Sequence, residues 1–133
     1  MPRLSQWMLK FAFGYLLLGF ALGVLLLMGK VTWLSPSIWQ WRSIHIECLQ
    51  VGWIFHLGLG VAYWIFPRVE RTLRPRSELA WISVAQLNLG IGLYCLGVFG
   101  NRTGLIQLGR LFEFLALILF ATHLWPRIKA FEA

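Results

Sequence analysis

The stretch FAFGYLLLGFALGVLLLMG, residues 11–29, runs from Lys10 to Lys30 without a charge, and its most polar side chain is the phenol of Tyr15. It matches the length of one helical bilayer crossing, about 20 apolar residues. No small-residue cleavage site follows it, so it reads as a retained helix. Working outward, the charges divide the rest of the 133-residue chain into three more spans. SIHIECLQVGWIFHLGLGVAYWIFP lies between Arg42 and Arg68, and LAWISVAQLNLGIGLYCLGVFGN between Glu78 and Arg102. The last span, from Gly104 to Trp125, contains Arg110 and Glu113 and meets Pro126. The predicted architecture is an all-α integral membrane four-helix bundle forming one domain over 1–133, with helices at about 8–29, 43–66, 79–100 and 104–125.

Composition agrees. Hydrophobic residues make up 59% and charged residues 13%, against about 45–50% and about 25% in soluble domains. That excludes an ordinary soluble domain, a disordered chain and a disulfide scaffold. The formal net charge is +7, which in a soluble protein suggests nucleic acid. Here the basic residues flank the spans, where they orient helices in the bilayer, so no nucleic-acid partner is expected. Cys48 and Cys95 lie in apolar stretches without a C-x-x-C-H motif and read as reduced, buried fillers.

Two patterns set the orientation. Arg3, Lys10, Arg68, Arg71, Arg74, Arg76, Arg127 and Lys129 fall on one side of the four spans, and Lys30, Arg42 and Arg102 on the other. The positive-inside rule places both termini in the cytoplasm, and hence the chain in the inner (cytoplasmic) membrane. Trp7, Trp64, Trp81 and Trp125 then lie at the inner interface and Trp33, Trp39 and Trp41 at the outer one, as aromatic belts require.

Ionisable side chains inside membrane spans are candidates for function, and they concentrate in the second span. At about 100° per residue, His45, Gly52, His56 and Tyr63 share one stripe, with the two histidines about 16 Å apart along the axis. Glu47 points away from it. A stripe of His, Gly and His suits a flat cofactor, because imidazole is a haem ligand and glycine leaves room for a macrocycle. It equally suits two histidines hydrogen-bonding to neighbouring helices around a glycine contact. Glu47 is either a proton-relay carboxylate or a partner of Arg110. Arg110 and Glu113, three residues apart, fit an internal ion pair. His123, beside Trp125 and Pro126, reads as an interfacial histidine. Gly19 and Gly23 form a G-x-x-x-G contact face.

Residues 45–69, HIECLQVGWIFHLGLGVAYWIFPRV, resemble the second transmembrane helix of subunit I in the haem-copper oxidase and nitric-oxide reductase superfamily. The matching positions are His45, Gly52 with Trp53, Gly60 with Tyr63, and Pro67. The chain is also similar to short four-helix proteins that look like excerpts of that subunit and carry H-x-H where this chain has His45 and Glu47. The resemblance implies that His45 is an axial ligand of a low-spin haem b near the outer face. The superfamily's copper and high-spin haem ligands lie on helices that have no counterpart here, so a complete oxidase is not expected. His56 and His123 lie at other depths, which leaves two candidates for the second ligand. One is Met28, giving His/Met ligation; the other is His45 of a second copy across a two-fold axis, since an isologous dimer places identical residues opposite each other. Lys30, Arg42, Arg102 and Arg110 are candidate partners of the propionates, or cations that snorkel to the interface.

Three functions fit these features. The first is a small b-type cytochrome, homodimeric, for electron transfer or haem handling with a respiratory-chain redox partner. The second is a cofactor-free membrane subunit or assembly factor related to the oxidases. The third is a proton- or ion-conducting bundle built on Glu47, His56 and Glu113.

Overall fold

The computed structural model describes residues 1–31, 36–66 and 77–129. The elements are α1 (Arg3–Val31), α2 (Trp41–Glu47), a π-helical segment (Cys48–Phe55), α3 (His56–Ile65), α4 (Ser77–Phe99) and α5 (Thr103–Lys129), with a 3-10 turn at Pro36–Gln40 leading into α2. The described residues contain no strand. α2, the π segment and α3 join into one rod, so four helical rods result, each long and apolar enough to cross a membrane. Arg68, Arg71, Arg74 and Arg76 of the basic connection lie outside the described residues, as do Trp33 and Pro67.

Two boundaries differ from the sequence expectation. α1 begins near Arg3 rather than residue 8, because its first turns are anchored: Leu4 and Met8 are buried with Tyr63, Ala80, Val84, Phe120 and Leu124. α5 does not stop at Pro126 but runs on to Lys129. Proline removes one donor and crowds one carbonyl, and the last turn is held from outside. Arg127 is only 2% exposed, with its guanidinium 4.7 Å from the Tyr63 ring centroid.

The bundle is apolar outside and partly polar inside. Phe13, Leu17, Phe20, Leu27, Leu96 and Phe114 are exposed, while Glu47, His56, Ser83, Glu113, His123 and Arg127 are buried. That inversion is what a lipid solvent demands, since polar groups there must find partners within the protein. Trp7, Trp64, Trp81 and Trp125 are all exposed, and all lie at the end of the bundle that carries both termini.

α1 packs against the second rod in antiparallel fashion. Gly23 lies against His45, Gly19 against Leu49, Gly52 against Tyr15, and Gly60 against Met8. α4 and α5 form a close hairpin, in which Gly97 abuts the backbone of Ile106. The turn between them is a Schellman motif. Arg102 N–H donates to Gly97 O at 2.8 Å and Asn101 N–H to Val98 O at 3.3 Å, while Asn101 takes φ 50°. The left-handed conformation strains most L residues by about 1–2 kcal/mol, asparagine less. Asn101→Val is therefore expected to lower the unfolding midpoint and Asn101→Gly to preserve it, as read by thermal unfolding in one detergent.

Candidate functional site

At the end of the bundle away from the termini, α1 and the second rod meet at His45. Their packing leaves a groove of about 430 Å³, walled by Phe20, Val24 and Leu27 of α1 and by Trp39. Lys30 and Arg42 also line it. The His45 imidazole is half-buried and rests against Gly23: a Cβ there would sit 2.9 Å from Cε1 and 3.3 Å from Nδ1. His45 Nδ1 is 2.7 Å from Gly19 O. A carbonyl only accepts, so Nδ1 carries a proton and donates it, and in the neutral ring Nε2 then keeps its lone pair. Histidines that bind metals are held this way, with the second nitrogen donating to a carbonyl or carboxylate.

His56, on the same rod, is in the opposite situation. It is fully buried. Its Nδ1 is 3.3 Å from Val51 O, and its Nε2 is 3.0 Å from Asn88 Nδ2. Asn88 Nδ2 also donates to Val84 O at 2.9 Å, and Tyr15 O–H donates to Asn88 Oδ1 at 2.9 Å. Both nitrogens of His56 are therefore engaged, Nδ1–H donating and Nε2 accepting. It is a structural histidine that ties α1, α3 and α4 together.

The other predicted residues fall in three places. Gly52 is on the stripe, but the space beside it is taken: a Cβ would lie 2.5 Å from Tyr15 Cγ. Its role in making room for a macrocycle is thereby corrected to a helix contact. Met28 is not part of the groove's lining; at about 100° per residue it lies well around α1 from Gly23. Arg42 does line the groove. Arg110 does not, because two carboxylates hold it elsewhere: Nη2 is 2.7 Å from Glu47 Oε2 and Nη1 is 2.8 Å from Glu113 Oε2. That places Glu47 and Arg110 as partners and corrects Arg110 as a propionate ligand. His123 is buried within the bundle. It accepts through Nε2 from Arg127 Nη2 at 2.8 Å and stacks on Tyr63 at 5.8 Å.

Sequence reasoning missed Asn88 as the hub of the His56 network, and it treated Arg127 as a loop cation. Asn88 was visible only as a polar interruption in an apolar span. Cys48 is buried against Cys95, and both are free thiols. Among the described residues no three His, Cys, Asp or Glu side chains gather to hold a metal ion. No family model, curated protein or solved structure matches this chain. Of its three histidines, only His45 combines a groove, a fixed tautomer and flanking cations.

Proposed function

We propose that this chain is a small multi-pass protein of the cytoplasmic membrane, with both termini inside, that binds b-type haem through His45 for electron transfer or haem handling. One observation carries the reading: the Nδ1–H of His45 donates to Gly19 O at 2.7 Å at the edge of a groove. That hydrogen bond fixes the ring and leaves Nε2 for iron. Phe20, Val24, Leu27 and Trp39 offer an apolar wall for the macrocycle, and Lys30 and Arg42 offer charge to its propionates. A bound haem would supply a one-electron couple.

One chain brings one suitable imidazole to the groove. A second copy across a two-fold axis completes the coordination with the same residue. Purified protein loaded with haem should therefore show a Soret band that shifts on dithionite reduction, at one haem per two chains. A colourless protein at full haem supply favours the cofactor-free subunit instead. One haem per chain overturns the shared ligand.

A further inference from the structure

Glu47 and Glu113 are the two acids buried among the described residues, 1% and 4% exposed. They come from different rods and share a single guanidinium, each binding Arg110 through Oε2. The guanidinium is held in turn over the Tyr94 ring, 4.0 Å from its centroid. The remaining oxygens, Glu47 Oε1 and Glu113 Oε1, are both buried with no hydrogen-bond partner. Gly90 lies directly against Glu113, since a Cβ on it would meet Glu113 Cγ at 2.8 Å.

Two ionised carboxylates against one guanidinium leave one negative charge in an apolar interior, beside two acceptor oxygens with no donor. A buried unpaired charge is among the costliest features a fold can hold. One proton neutralises the triad and turns one of the orphan acceptors into a carboxyl O–H. We infer that Glu47 and Glu113 form a proton-binding site that takes up and releases one proton, with Arg110 as its fixed counter-charge.

Uptake takes the triad from a net charge of −1 to 0, and release returns the proton to water. No metal fits as well, because hard cations want about six to eight oxygens and two orphan oxygens are present. Arg110 is 47% exposed, so the site borders the bundle surface on one side. The other titratable groups facing it are the Cys48 thiol on the second rod, the Cys95 thiol on α4 and the Tyr15 phenol on α1. The site stands apart from the haem reading and needs no cofactor.

Infrared spectroscopy of the purified full chain at pH 7 tests this. The expected result is a C=O stretch of an un-ionised carboxyl that shifts down in D2O and carries the isotope shift of 13C-labelled glutamate. It should be lost in Glu47→Gln and in Glu113→Gln, because Arg110 then balances the one acid left. A wild-type spectrum without the band overturns the site with no variant needed, as does a band that survives both substitutions.

Discussion

His45→Ala is expected to abolish the Soret band, while Met28→Leu leaves it unchanged. Among the described residues that line the groove, the imidazole is the only side chain with a nitrogen lone pair to give, since Lys30 and Arg42 are cationic and the others are apolar. Removing an axial ligand removes the iron's anchor, and the apolar wall alone does not fix the macrocycle's orientation. A second substitution tests position rather than chemistry. Gly23→Leu puts a side chain where even a Cβ would lie 2.9 Å from His45 Cε1, so the ring must leave the Gly19 carbonyl. Haem affinity should drop at least tenfold although every ligand atom is still present. His56→Ala separates folding from ligation. It removes one of the two acceptors of the Asn88 amide and leaves only Val84 O, which should lower thermal stability by about 1–3 kcal/mol, while any haem that remains keeps its wild-type spectrum. Full haem binding by His45→Ala would sink the proposal, and loss of haem in Met28→Leu would move the second ligand into the chain.

Much of this was legible in the sequence, and the gaps have physical causes. The four spans could be read because charge is so costly in an apolar medium that Lys10, Lys30, Arg42 and Arg102 mark their ends. The stripe of His45, Gly52 and His56 could be read from helical period alone. What covers the stripe could not. α1 lies along it, with Tyr15 over Gly52 and both Phe11 and Tyr15 against His56, so the stripe is open only at His45. A helical projection reports the phase of a residue and not its neighbour. The π segment over Cys48–Phe55 was hidden as well, because no residue type marks an i→i+5 ladder. The Arg110–Glu113 pair followed from i,i+3 spacing. The Glu47–Arg110 pair was foreseen only as one alternative, since it joins two rods through tertiary packing.

Gly109→Ala is expected to be among the most disruptive single-methyl changes in the chain, and Gly92→Ala among the mildest. A Cβ at Gly109 would lie 2.7 Å from Tyr94 N, 2.8 Å from Gly90 O and 3.0 Å from Tyr94 Cα. All three are backbone atoms of α4, so no rotamer change relieves the contact and the two helices must separate. Overpacking costs about 1–3 kcal/mol where side chains can yield; here nothing yields, and the upper end is expected. At Gly92 no atom lies within 4 Å of the added carbon, and alanine is the better helix former. Thermal unfolding of both variants in one detergent checks the pair, and equal midpoints would show that the hairpin is not set by this contact. The expected damage reaches beyond stability. Arg110 follows Gly109 directly and Glu113 lies one turn further on, so spreading α4 from α5 also draws the guanidinium off Glu47. The two acids then lose the guanidinium that holds them at one site. Gly109→Ala should therefore weaken or shift the carboxyl band in protein that still folds, while Gly92→Ala leaves it in place. That difference ties the close approach of two helices to the charge state of the acids beside it.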